Sequence, residues 1–356
     1  MYRSSFLLIL TATIFSACKD NNKTEFDRKA MLDNMASAVI IPAYSDLNNA
    51  LALLLTRTEE FNATPNTTTL TALKQQYVTT NVYYQHCAMY GFGPALEYGI
   101  KGAFNTFPSD TTKIEANITA GTYTLGSAAN TTAIGLPAID YLLYFGGDAQ
   151  VIANFSTDAL AANRKTYLVD LVTKMKSELQ PVLDQWNGAY KTTFISADGT
   201  DVSSSCSYLL NEFVKDIELV KNAKVGIPSG QQTGGATLPA YVEGYYSGLS
   251  TTFALENLYG LETCFVGGSG LGLDDYIRHE EGDDVSSSLA DQIIAQFDVC
   301  ESQVGALADP LSATVDIDWA SVNNAYLELK KLVILTKTDM TAVLGLLITY
   351  QDSDGD

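Results

Sequence analysis

Apolar residues recur along this chain at three- and four-residue steps over long stretches, and that spacing predicts helices carrying one buried stripe. The first stripe runs through Leu32, Met35, Val39, Leu47, Leu51, Leu54, Thr58 and Phe61, with Pro42 inside it as an expected kink. A second helix is predicted from a threonine cap within Thr67–Thr69, with Leu70, Leu73, Tyr77, Tyr84 and Cys87 on one face, and Gly91-Phe92-Gly93-Pro94 breaks it. A third spans about Ile134 to Tyr144 and stops at Gly146-Gly147. A fourth carries Leu168, Leu171, Val172, Met175, Leu179, Leu183 and Trp186.

The stretch from Gly188 to Ser204 holds no sustained period and is expected to be a connector. Beyond it the scheme returns, with helical patterns from about Ser205 to Lys224, Leu238 to Phe265, Ser286 to Leu307 and Trp319 to Met340. Glycine-rich loops, Pro228 to Gly235 and Gly267 to Gly272, separate them. Strand alternation is confined to short ambiguous runs such as Tyr123-Thr124-Leu125. Four helices, a connector and four more helices predict an all-α fold of two helical bundles joined in one chain, 27–195 and 196–356.

The beginning of the chain follows a different logic. Arg3 precedes an apolar run from Phe6 to Phe15, and Ser16-Ala17 stand directly before Cys18. That order is a secretory leader (1–17) ending in a lipobox, in which Cys18 receives the lipid. The run is shorter than the roughly 20 residues a membrane span requires. The mature protein is therefore expected to begin at Cys18, followed by a polar tether (18–26), and to sit lipid-anchored on the bacterial cell envelope. Lys19-Asp20 after the anchor suits the outer membrane, with the protein facing the periplasm or the cell surface.

Composition adds exclusions. A mean hydropathy of +0.04 with 46% hydrophobic residues indicates a folded body. The formal charge of −20 becomes −21 once Arg3 leaves with the leader. Such a balance repels nucleic acid, which is excluded as a partner, and attracts cations. Cys87, Cys206, Cys264 and Cys300 form no CxxC pair. They could make up to two disulfides or remain four buried thiols.

Enzyme signatures are sparse. The chain has two histidines, His86 and His279, and HExxH, a G-x-S-x-G elbow, a P-loop and a dinucleotide fingerprint are all missing. His86, among Tyr83, Tyr84 and Tyr90, reads as a packed, hydrogen-bonded residue. The acids Asp274, Asp275, Glu280, Glu281, Asp283 and Asp284 read as a charged loop, and Asp352 to Asp356 as a solvated tail. One segment stands apart, Gly135-Leu136-Pro137-Ala138-Ile139-Asp140-Tyr141, a helix start with a single carboxylate among apolar residues. Positions 137 and 140 share a helical face.

These residues, together with Val39-Ile40-Ile41-Pro42-Ala43-Tyr44, Gly91-Phe92-Gly93-Pro94, Asn105 to Asp110, Val225-Gly226-Ile227-Pro228, Val242 to Ser250 and Asp339-Met340 onward, occur in an order that resembles the imelysin family of envelope proteins. The likeness spans nearly the whole mature chain. The family's hallmark is G-x-H-x-x-E followed by a hydrophobic helix. Here Gly135 is kept, Pro137 stands at the histidine position and Asp140 at the glutamate position. Imelysins are classed as metallopeptidases, and the resemblance also implies a link to iron uptake and an envelope partner there.

Proline offers no imidazole to a metal, and Asp140 is one methylene shorter than glutamate. The favoured reading is a non-catalytic metal- or ligand-binding protein whose cleft contains Gly135, Pro137, Asp140 and Tyr141. An alternative is a metallopeptidase with an all-oxygen site of Asp140, Glu97 and Glu243, holding a divalent or iron cation. Glu97 also reads as a surface residue and Glu243 as a helix cap. A third reading is a surface interaction protein with a vestigial cleft.

Overall fold

The computed structural model describes residues 24–282 and 287–350. The leader, Cys18, Asp283, Asp284 and the tail from Asp352 lie outside the described residues. Among those described, every regular element is helical, and the Tyr123-Thr124-Leu125 run forms no strand.

The first stripe folds as one uninterrupted run. Helix α1 (Arg28–Asn34) passes through a π-helical segment (Met35–Ile40) into α2 (Ile41–Ala63). Pro42 does not break the helix. It lies in the first turn of α2, directly after the widened segment that accommodates its missing N–H. Helix α3 (Thr67–Gln85) is capped one residue earlier than its sequence suggested. Asn66 Oδ1 accepts from the Thr69 N–H at 3.1 Å, and the Asn66 N–H donates to Thr69 Oγ1 at 3.3 Å.

Short helices follow: α4 (Pro94–Glu97), α5 (Ile100–Phe104), α6 (Thr111–Ala120), α7 (Gly135–Tyr144) and α8 (Asp148–Ser156). The long α9 (Ala161–Trp186) completes the first bundle, packing with α3 against α2. Helix α7 is buried at every position from Gly135 to Leu143 and touches α3, α5, α6, α8 and α9. The expected connector contains a helix, α10 (Ala189–Ser196). It has too few turns to show a stripe, but its Phe194 stacks on Phe92 and packs on Trp186.

The second bundle comprises α11 (Ser205–Leu219), extended by a π segment (Val220–Gly226), then α12 (Ser250–Phe265), α13 (Leu273–Glu281), α14 (Leu289–Gly305), α15 (Leu311–Ile317), α16 (Trp319–Val333), a third π segment (Ile334–Met340) and α17 (Thr341–Leu344). Two expectations are corrected here. The helix predicted from Leu238 begins only at Ser250. Before it runs a loop whose Gly244 (φ +60°) and Gly248 (φ +72°) adopt left-handed backbone that stops a helix. Asp274, Asp275, Glu280 and Glu281 belong to α13 and not to a loop. The four cysteines are buried and free. Contacts between α3 and α12 join the bundles, and the buried residues of both form one continuous core.

Candidate functional site

The hallmark segment opens α7, and its shape is set by sterics. Gly135 has φ +75°, and a Cβ there would stand 2.3 Å from the Phe104 carbonyl oxygen, so only glycine fits. Pro137 falls in the first turn, where its missing N–H would have no intrahelical partner in any case. One turn later comes Asp140. Pro137 and Asp140 together form one wall of a cleft of about 180 Å3 between the bundles. Phe107 to Ser109, after α5, supply a second wall, and residues 240–242 and 244–246, before α12, the third. The rim is aromatic, with Tyr241 and Tyr245 each more than two-fifths exposed.

Asp140 is 1% exposed, yet it does not stand free. Its Oδ2 accepts from the Tyr246 N–H at 2.8 Å and its Oδ1 from the Ser247 N–H at 3.1 Å. Burial pushes its carboxyl up to about 6, opposed by these hydrogen bonds from Ser247 and Tyr246 and by the Tyr77 hydroxyl. Its work is to pin the loop between Gly244 and Gly248 onto α7.

Glu243 is equally buried, immediately behind the cleft wall. It is no helix cap. Lys224, presented by the π segment after α11, lies 2.9 Å from its Oε2, while Gln85 and Asn105 each donate to its Oε1 at 2.7 Å. Lys224 also donates to Gln85 Oε1 at 2.5 Å. The polar seam continues through Asn257, which donates to Asp216 at 2.7 Å, and Lys101, which stands 2.9 Å from Glu212 and 3.5 Å from Asp216.

The other expected site residues are placed elsewhere. Gly135 sits behind the cleft against Phe104. Tyr141 turns away from it, donating to Glu115 at 3.0 Å, and Arg164 grips the same Glu115 carboxylate through both terminal nitrogens. The Tyr141 ring packs on Tyr246 and Phe145. Glu97 is exposed on α4, where Gln185 reaches it at 3.4 Å.

The trio Asp140, Glu97 and Glu243 is therefore not assembled. Among the described residues no group of three or more His, Cys, Asp or Glu is placed to hold a metal. The donor set does not fit a bare ion: Pro137 has no ligand atom, and the oxygens of Asp140 and Glu243 are engaged within the protein. His86 is indeed hydrogen-bonded, at 2.8 Å to Glu256, but at a half-buried position.

Sequence reasoning missed Lys224, Gln85 and the tyrosine rim. The mixed stretch Val220-Lys221-Asn222-Ala223-Lys224-Val225 gave no signal that Lys224 would be buried against a carboxylate. Asn105 and Phe107 to Ser109 had appeared only as part of the resemblance, and they now prove to line or brace the cleft.

Comparison with known proteins fits this architecture. The Imelysin (Peptidase_M75) family model matches residues 40–335. Iron-regulated protein A of Synechococcus elongatus is 20% identical over 314 residues, covering 85% of this chain and 82% of its own. A crystal structure from Parabacteroides distasonis, described as an iron-regulated protein A precursor, superposes with a TM-score of 0.72 at 16% identity, covering 90% of this chain and 95% of that one. An imelysin-like protein from Psychrobacter arcticum gives 0.73 at 18%, covering 91% and 97%. At such identities the two structures establish the shared fold. The family match, spanning both bundles and including the hallmark segment at the start of α7, shows more: this chain belongs to the imelysin family.

Proposed function

We propose that the protein is a lipid-anchored, non-catalytic binding protein of the bacterial envelope that serves iron acquisition. Its inter-bundle cleft takes an organic ligand, free or carrying iron, in place of a bare ion. One observation carries the reading: both oxygens of Asp140 are taken by the backbone N–H groups of Tyr246 and Ser247. A carboxylate so held, and only 1% exposed, is a structural clasp turned to the loop, and Pro137 one turn before it brings neither a ligand atom for a metal nor a proton-accepting group for a hydrolytic water.

The aromatic rim supports the organic ligand, since exposed tyrosine faces supply large contact area at low entropic cost. Two relatives, one curated and one of known structure, carry the name iron-regulated protein A, which supports the iron context. The leader and Cys18 support the envelope placement. The test is incubation of the mature chain with an unfolded protein substrate in the presence of zinc, manganese, calcium or ferrous ions. No cleavage above background is expected. Metal-dependent cleavage that disappears in Asp140→Asn would restore the metallopeptidase. Ferric citrate serves as the binding probe, with affinity expected to fall in Tyr241→Ala and Tyr245→Ala.

A further inference from the structure

A second cleft, of about 230 Å3, opens where the π segment and the first turns of α2 pass the end of α3 and the middle of α12. It shares no lining residue with the cleft at Asp140. Gly260 makes the close passage feasible, because a Cβ there would lie 2.8 Å from His86 Cα. Val39, Pro42, Ala43 and the buried Tyr90 give the cleft an apolar lining.

Its lining holds one carboxylate, Asp46, and one imidazole, His86. Asp46 is exposed in the lining and has no ion-pair partner among the described residues. His86 in the lining is held by Glu256 at 2.8 Å, and Tyr83 stands edge-on to the His86 ring at 6.4 Å. Tyr259, two-fifths exposed, has its phenol held above the ordinary value first by desolvation and then by the carboxylates of Glu301, Glu256 and Glu262. No lysine or arginine lines the cleft. Tyrosine faces beside unpaired carboxylate suit a positive head on an apolar stem, and the −20 charge of the chain steers such ligands inward. Among the described residues no three acids, histidines or cysteines are grouped there to hold a bare metal ion.

We propose that this cleft binds a small organic cation, an amine or guanidine, its charged head beside Asp46 and its stem against Tyr83 and Tyr259. The site stands independently of the cleft at Asp140. The test is calorimetric titration of the mature chain with agmatine at low salt, with 1,4-butanediol as the uncharged counterpart. Agmatine should bind and the diol should not. Asp46→Asn and Tyr259→Leu should each weaken agmatine about three- to tenfold. Glu59→Gln, which removes an exposed acid of α2 outside the cleft, should leave the affinity unchanged and so controls for net charge. The proposal is overturned if agmatine does not bind, if the diol binds equally, or if Asp46→Asn behaves like Glu59→Gln.

Discussion

Burying a carboxylate costs several kcal/mol unless its oxygens are matched, and Asp140 and Glu243 are matched by different means. Asp140 has backbone N–H groups but no cation, so burial still raises its carboxyl to about 6 from an unfolded value near 4. Its protonated form is thus favoured by folding, and the stability it contributes at low pH is lost as pH rises from about 4 through 6. Asp140→Asn removes this dependence. The lead of wild type over the variant in urea unfolding should shrink across that window, by up to about 3 kcal/mol. A lead that widens would contradict the assignment.

Glu243 has a cation, and there the prediction concerns truncation. Lys224→Met leaves Glu243 buried and uncompensated and should cost about 3–5 kcal/mol, while Lys224→Met with Glu243→Leu should recover most of it. Asp140 was visible in the sequence as a lone acid in an apolar run. Its task was not, because its partners are backbone groups more than a hundred positions away. Glu243 was misread as a cap for the same reason, its three partners coming from three separate elements.

Helices long enough to display a stripe were legible: α2, α3, α9, α11, α14 and α16 fall close to where the apolar spacing put them. Shorter ones such as α10 and α15 offer too few turns for a period to emerge. The loop before α12 misled in the opposite sense. Val242 and Leu249 carry helix-like spacing, and only the backbone at Gly244 and Gly248 shows that the chain turns there.

The α3–α12 crossing depends on a missing side chain. Gly260→Ala would force a Cβ to 2.8 Å from His86 Cα and 3.2 Å from the Gln85 carbonyl oxygen, and should cost about 1–3 kcal/mol in thermal melts. Gly102→Ala, in α5 with open space around it, should be neutral or stabilising by up to about 1 kcal/mol.

The two bundles share one core, and the seam between them is charged. Gln85, Asn105 and Lys101 from the first bundle meet Lys224, Glu243, Asp216 and Glu212 from the second. Separating the halves would expose this network and the α3–α12 contact together, so the molecule should unfold in a single step. The chain carries its own reporters, with Trp186 buried in α9 of the first bundle and Trp319 at the start of α16 in the second. Fluorescence of Trp186→Phe and of Trp319→Phe should give coincident urea midpoints. Two separated midpoints would show bundles that unfold independently.

The central claim, that the hallmark cleft has no place for a bare ion, is tested most directly by calorimetric titration of the mature chain lacking Cys18 with ferrous, zinc, manganese and calcium ions, beside Asp140→Asn. The account predicts no difference between wild type and variant, any residual binding being weak and diffuse on the acidic surface. Binding at about micromolar affinity that vanishes in Asp140→Asn would contradict it and return the cleft to metal chemistry.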